Sequence, residues 1–334
     1  MNENTLNDML SRPSEALCSD LASLGGDIMV IGAGGKMGPT LSRMARRAKG
    51  NSGRVIAVSR FSDAEARKLM EDAGVEMLSC ELTDPDSVNR LPLCENVIFM
   101  AGRKFGTSQG ACETWQMNAV VPSTVARHFG AARYVVFSTS NVYPFTRPDE
   151  GGCTESVEPA PVGEYAASCL GRERAFEYAA AHYGAKVLKF RLSYAIDLRY
   201  GILNDLCQWI MRGDEIPLGV PAFNCVWQRY ANEAALRSLL LADESCPALN
   251  VTGPETLSVR QAAEKLAVLL GKEARFGGET GEKGILCNSQ KCIGLFGYPD
   301  VGPDEMMRMQ AEWIMSGGRC LGKPTHFEEQ KGRF

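Results

Sequence analysis

Three evenly spaced glycines, Gly32, Gly35 and Gly38, stand inside Asp27–Gly38, DIMVIGAGGKMG, and this pattern suits the binding of phosphate groups. Ile28–Ile31 before them is an apolar run of the length a parallel strand needs when it is covered on both faces. Gly32 permits the tight bend, Gly35 lets backbone approach a pyrophosphate, and Gly38 lets the next helix pack closely on the strand. Gly34, Lys36 and Met37 complete the turn. Beyond it Leu41, Met44, Ala45 and Ala48 fall on one helical side and Arg43, Arg46 and Arg47 on the other. The free N–H groups at the start of that helix, favoured by its dipole, would then hold the phosphates of a dinucleotide.

The elements that must position this turn follow in order. Arg54–Val58, RVIAV, reads as a second strand ending in Ser59 and Arg60, and Ser62 with Glu65 forms a capping box for the next helix. In a dinucleotide fold, a carboxylate about 20 residues past the glycines binds the ribose 2′-OH of NAD. Ser59 and Arg60 offer a hydroxyl and a planar guanidinium instead, which suits a 2′-phosphate, so NADP is the expected cofactor and NAD the alternative. Val75–Leu82 is a third strand that puts Glu81 and Leu82 near the adenine. Asn96–Ala101 is a fourth, opening through Ala101 and Gly102 into Arg103 and Lys104 beside the nicotinamide. A helix over Thr114–Phe129 leads to the strand Arg133–Ser138. This alternation predicts an α/β fold, a Rossmann-type doubly wound parallel sheet with its ligand crevice at the carboxyl ends of the strands.

Composition narrows the class. The 334 residues are 45% hydrophobic and 23% charged, ordinary values for a globular protein with a sizeable core. A net charge of −4 and the lack of any Lys/Arg run exclude nucleic acid as the expected partner. No apolar run approaches the roughly 18 residues a membrane span needs, and the first ten residues do not form a secretory signal. A cytoplasmic location is the resulting expectation. The 12 cysteines lack CxxC pairs and His partners at ligand spacing, so no metal site is expected. Residues 1–26 read as a helical lead-in covering an edge or end of the sheet, 27–194 as the dinucleotide-binding part, and 195–334 as a smaller α+β substrate-binding part.

In several stretches the chain resembles the extended short-chain dehydrogenase/reductase family, also called the NAD-dependent epimerase/dehydratase family, over about residues 27–315. The landmarks are GAGGKMG at Gly32–Gly38, VIFMAG at Val97–Gly102, Asn118, FSTSNVY at Phe137–Tyr143 and EYAASCLGRE at Glu164–Glu173. RLSYAID at Arg191–Asp197, LNVTGPETLSV at Leu249–Val259 and the turn at Leu295–Pro299 come later. The resemblance implies that Asn118 belongs to the cofactor site. It also implies that Thr139 and Tyr165 hold the reacting hydroxyl or carbonyl, with Tyr165 passing the proton. A further implication is a homodimer through the helices at Thr114–Phe129 and Glu164–Ala181.

One departure falls at the centre of that chemistry. An unperturbed tyrosine titrates near pH 10, too high for a base at neutral pH. The family places a lysine four residues after the tyrosine to lower that value and hold the nicotinamide ribose, and here the position is Cys169. Three readings follow. Lys104 or Arg103 supplies the missing charge; the reaction needs no tyrosinate or uses the Cys169 thiol; or the protein binds the dinucleotide without hydride transfer.

Past Arg191 the family pattern changes again, with Asp197 where a glycine is usual and VWQRYAN at Val226–Asn232 in place of an acidic pair. These changes point away from the usual sugar-nucleotide substrate. Tyr200, Trp209, Trp227, Arg229 and Tyr230 line either a pocket or the core. Ala248–Thr252 is read as a strand returning to the sheet and Ser258–Leu270 as an amphipathic helix. The polar stretch Gly322–Phe334 is expected on the surface or against a partner. The expected function is oxidoreduction or epimerisation at a hydroxyl or carbonyl of a small polar, carbohydrate-like substrate. The alternative is a catalytically reduced, dinucleotide-binding regulatory protein.

Overall fold

The computed structural model describes Met1–Lys104, Gly106 and Gln109–Arg333. The apolar run after Asp27 becomes strand β1 (Ile28–Ile31), buried at all four positions. Around it lie β2 (Val55–Ser59), β3 (Glu76–Ser79), β4 (Asn96–Phe99), β5 (Arg133–Thr139), β6 (Lys186–Leu192) and β7 (Ala248–Val251). They form one seven-stranded sheet in the order β7-β6-β5-β4-β1-β2-β3, with every neighbouring pair parallel. The order reverses between β1 and β4, and a doubly wound sheet opens its ligand crevice at that switch.

Both faces are covered, which is why the central strands are apolar rather than alternating. Helices Gly38–Lys49 and Gln228–Arg237 bury Leu41, Met44, Ala231 and Ala234 against Val30 and Val135 on one face. Helices Val121–Phe129 and Gly163–Tyr183 bury Val125 and Phe176 against Ile31 and Phe99 on the other. The lead-in does more than cover an edge. Leu17, Leu21 and Leu24 join the first face, whereas Leu6 and Leu10 join a separate core built by helices Ile202–Arg212, Val259–Leu270 and Pro303–Met315. Ala248–Thr252 returns to the sheet as β7, paired with β6.

Several local expectations change. The helix expected over Thr114–Phe129 is three pieces, with a π-helical turn at Gln116–Val120 between Ala111–Trp115 and Val121–Phe129. Pro122 explains it, because it has no N–H to return to the preceding turn and the ladder widens there. The next correction is the capping residue, which is Asp63 rather than Ser62; its carboxylate accepts from the N–H groups of Glu65 and Ala66, both at 3.0 Å. An ionised acceptor makes the stronger cap. Strand β3 is shorter than Val75–Leu82 because it lies at the sheet edge with a single neighbour. Trp227 and Tyr230 are core residues, Trp209 packs on the second core, and Arg229 pairs with Glu233 and Asp300. Tyr200 is the one of these five that lines the cleft.

The polar C-terminal stretch departs from expectation in part. Thr325 and Phe327 are buried, with the Phe327 ring 5.6 Å from Trp209. Asp205 accepts from the Thr325 N–H at 2.7 Å and its hydroxyl at 2.6 Å. The stretch thus runs over the surface, as expected, but is pinned at Thr325 and Phe327, whose buried partners satisfy Thr325. Among the described residues no helix is long and apolar enough to cross a membrane.

Candidate active site

At the carboxyl end of β1 the chain turns on Gly32, whose φ of +88° lies in the left-handed region. A side chain there would put Cβ 2.5 Å from the Ala101 nitrogen, so this turn and the end of β4 touch through backbone. A Cβ on Gly38 would fall 2.2 Å from the Ala33 oxygen, which fixes the close approach of helix to turn. That helix has Met37 at its N-cap and, among the described residues, no side chain capping it. Its first N–H groups therefore remain available to an anion, as a pyrophosphate site requires.

A cleft of about 760 Å³ starts at this turn. Gly32, Gly34, Gly35, Lys36 and Met37 line one side, and Gly102, Lys104, Thr139 and Tyr165 line the other. The remaining candidates act from around it. Gly38 is buried behind the turn, and Ser59 Oγ stands 2.4 Å from where a Gly34 Cβ would be. Arg60 is exposed, its guanidinium 3.6 Å from the Glu81 carboxylate. Glu81 also accepts from the Thr83 hydroxyl at 2.7 Å, and Leu82 belongs to the core. Ala101 supplies backbone against Gly32.

Asn118 is fully buried and ties three segments together. Its amide nitrogen donates to the Arg103 carbonyl and to Ser168 Oγ, both at 2.9 Å, and its Oδ1 accepts from the Arg103 N–H at 2.8 Å. The exit of β4 is thus fastened to the helix that carries Tyr165.

Thr139 ends β5, and Tyr165, Cys169 and Arg172 share one face of helix Gly163–Tyr183. The Tyr165 side chain and Thr139 line the same cleft, and Thr139 and Cys169 both act on the phenol's titration. Burial holds its titration well above the usual tyrosine value and the Cys169 sulfur adds to the rise, while Arg172 and the Thr139 hydrogen bond oppose it. The Cys169 thiol is itself pushed up by burial, which keeps it protonated and poorly nucleophilic. Lys104 Nζ lies 5.9 Å from the centre of the Tyr165 ring and donates to the Thr325 carbonyl at 2.8 Å. Burial lowers its pKa to about 8.

Arg172 was not among the sequence candidates. Its Nη1 donates to the Phe137 carbonyl at 2.6 Å and its Nη2 to Asn118 Oδ1 at 2.8 Å, while its buried Nε has no partner among the described residues. Its seven-residue spacing from Tyr165, which returns to the same helical face, was the available signal. Tyr194 and Lys323 also line the cleft and were missed, because the first leaves the sheet after β6 and the second comes from the far C-terminus.

Fold and cleft define a Rossmann-type protein with an acid/base tyrosine candidate facing its dinucleotide crevice. The chain belongs to the NAD dependent epimerase/dehydratase family, whose model matches residues 28–196, and it is an enzyme of that class. No curated protein matches it. Among solved structures, an epimerase from the methanogen Methanothermobacter thermautotrophicus superposes with a TM-score of 0.75 at 14% identity, over 92% of this chain and 97% of that one. A variant of the UDP-glucuronic acid 4-epimerase of Bacillus cereus, in complex with a fluorinated UDP-sugar and NAD, gives 0.72 at 15% identity, over 87% and 99%. The UDP-glucose 4-epimerase of Thermus thermophilus in complex with NAD gives 0.71 at 18%, over 86% and 99%. At these identities the likeness concerns the fold.

Proposed function

We propose that the cleft binds NADP, or NAD in its place, and that Tyr165 and Thr139 act on a hydroxyl or carbonyl of a small polar, carbohydrate-like substrate. The observation that carries this reading is that Tyr165 and Thr139 line the same cleft as the glycine turn. The bare turn, with Gly34 and Gly35 lining the cleft, fits a pyrophosphate. A nicotinamide bound there supplies a hydride acceptor or donor.

The chain's own residues have separate tasks. Thr139 holds the substrate oxygen and the phenol together, and Tyr165 moves the proton to or from that oxygen. Protonated Tyr165 is the resting form at neutral pH, which suits proton donation to a carbonyl oxygen. For the reverse step, Arg172 and Lys104 are the two cations placed to favour the phenolate. Ser59 and Arg60 at the end of β2 support the 2′-phosphate preference, Arg60 exchanging Glu81 for the phosphate. The substrate-binding role of residues 195–334 and a homodimer through the two outer helices belong to the same proposal.

The test is stoichiometric reduction of NADP or NAD across a panel of sugars, sugar acids and polyols, with Tyr165→Phe alongside. Turnover lost at least a hundredfold in Tyr165→Phe, with cofactor affinity kept, supports the reading. Turnover that survives the substitution removes Tyr165 from the chemistry.

A further inference from the structure

Two walls of the cleft are joined by one side chain. On the first wall, Asp63 caps helix Ala64–Glu71, which follows β2, and Glu65 stands in its first turn; both line the cleft. On the second, Asp197 and Arg199 follow β6, and helix Glu3–Leu10 lies beside them. Glu3 and Asn7, one helical turn apart, line the cleft, while Leu6 and Leu10 are buried in the second core. Strands β2 and β6 stand on opposite sides of the switch between β1 and β4, so these walls flank the glycine turn. Arg319 ties them together: its Nε is 2.9 Å from Glu3 Oε1 and its Nη1 2.6 Å from Glu65 Oε2.

The two ends of this link are held unequally. Arg199 is anchored: it pairs with Asp197 at 2.6 Å, donates to Asn7 Oδ1 at 2.9 Å, and has a side chain only 11% exposed. The backbone around Arg319 is anchored too. Its carbonyl accepts from Trp313 Nε1 at 3.0 Å, and the Leu321 N–H donates to the Arg199 carbonyl at 2.9 Å. The Arg319 and Glu65 side chains are by contrast 43 and 71% exposed. An exposed ion pair contributes little and is screened by salt, so the bond to Glu65 breaks readily while the backbone that carries Arg319 stays in place. A long side chain on a fixed backbone, tied weakly to the opposite wall, forms a bar that can open and close.

We propose that the Glu3–Arg319–Glu65 bridge is a gate on dinucleotide exchange, closing the cleft over the glycine turn and opening by release of Glu65. The proposal rests on the reading of this cleft as the NADP or NAD site and adds its regulation. When entry and exit both pass the same bar, breaking it speeds both by one factor and leaves the equilibrium affinity in place. A residue that held the bound dinucleotide would change its release alone.

Stopped-flow fluorescence of NADPH and NADH, binding to and leaving the full chain, tests it. Arg319→Met and Glu65→Gln should each raise the association and release rate constants together by about two- to tenfold, with the dissociation constant changed less than about twofold. Arg319→Lys should recover part of the effect, and high salt should narrow the gap between the parent and Arg319→Met. Melting temperatures near the parent's show that the variants are folded. The two neutralising substitutions change the charge of the cleft in opposite directions, so a purely electrostatic effect on an anionic dinucleotide would drive their association rates apart. That divergence overturns the gate, as does faster release with unchanged association in Arg319→Met, or rates that do not move. Unmoved rates on a chain that binds dinucleotide end the gate alone, whereas binding of neither dinucleotide ends it together with the cofactor reading.

Discussion

Arg172 Nη2 donates to Asn118 Oδ1 at 2.8 Å, and the same oxygen accepts the Arg103 N–H. One buried amide oxygen thereby joins the Tyr165 helix to the exit of β4, where Gly102 leaves space for the guanidinium. A Cβ on Gly102 would lie 2.5 Å from Arg172 Nη2. This cation sits one turn beyond Cys169 on the same helical face.

Arg172→Met should destabilise the fold by about 1–3 kcal/mol, since the Phe137 carbonyl and Asn118 Oδ1 lose a buried charged donor. Arg172 also favours the Tyr165 phenolate, so its loss raises the tyrosine's titration further. The pH–rate limb set by Tyr165 should move to higher pH, with Arg172→Lys recovering part of the shift. Chemical denaturation and a pH profile measure the two effects separately, and a purely structural arginine would leave the profile in place.

At Cys169 two outcomes of a lysine substitution were open from the sequence. Tighter dinucleotide binding and a lower activity optimum follow if the missing charge has no substitute, and weaker binding follows if Lys104 or Arg103 fills the role. The position is 1% exposed, and both Lys104 and Arg172 act on its thiol. A third cation would therefore be crowded against two others. Cys169→Lys should weaken NADP binding, and Cys169→Lys with Lys104→Ala should restore it. Tighter binding in the single variant would show that neither existing cation reaches the site.

Alkaline stability offers a reading of Lys36 and Lys104. Burial first and the neighbouring lysines second bring Lys36 to about 7, and burial brings Lys104 to about 8, both from an ordinary 10.5. A lysine whose folded-state pKa is depressed gives up its proton on folding. The unfolded chain then binds more protons between the folded value and 10.5, and stability rises with pH through that window. The parent should gain stability from about pH 7 to pH 10 relative to a Lys36→Met, Lys104→Met variant, as read from denaturant midpoints. Parallel curves for the two proteins would contradict the depressed values.

For the cofactor, Arg60→Ala should lower NADP affinity about tenfold or more and leave NAD affinity nearly unchanged, since a lost charged hydrogen bond to phosphate amounts to roughly 1.5–3 kcal/mol. Fluorescence titration of both dinucleotides measures it. Equal affinities in the parent, unaffected by the substitution, would place the 2′-phosphate preference elsewhere or nowhere.

The outer helices Val121–Phe129 and Gly163–Tyr183, with the π turn before the first, leave Trp115, Val120 and Tyr178 exposed at 39, 49 and 54%. Apolar surface of this kind favours a second copy of the chain. Light scattering at low micromolar concentration should give a dimer, and Val120→Glu with Tyr178→Glu should give a monomer of unchanged melting cooperativity. A monomeric parent would end the proposal.

The sequence by itself determined the sheet and the turn at its switch point. Ile28–Ile31, the glycines after it and the alternation of strands and helices are local patterns, because strand burial and helix periodicity are written in neighbouring residues. Thr139 and Tyr165 were singled out through a resemblance to proteins that share the motif, and both line the cleft. Sequence could not place Arg172 against Asn118 and Phe137, or Lys36 over Tyr200, since each contact joins residues brought together only when the strands stack. The C-terminal stretch shows the limit best. Composition made Gly322–Phe334 polar and therefore apparently superficial. Thr325 nonetheless finds Asp205, Lys104 finds the Thr325 carbonyl, and Phe327 finds Trp209, all across more than a hundred residues of chain. A mostly exposed polar segment can be pinned by single buried residues when distant partners satisfy them, and only the tertiary structure supplies those partners.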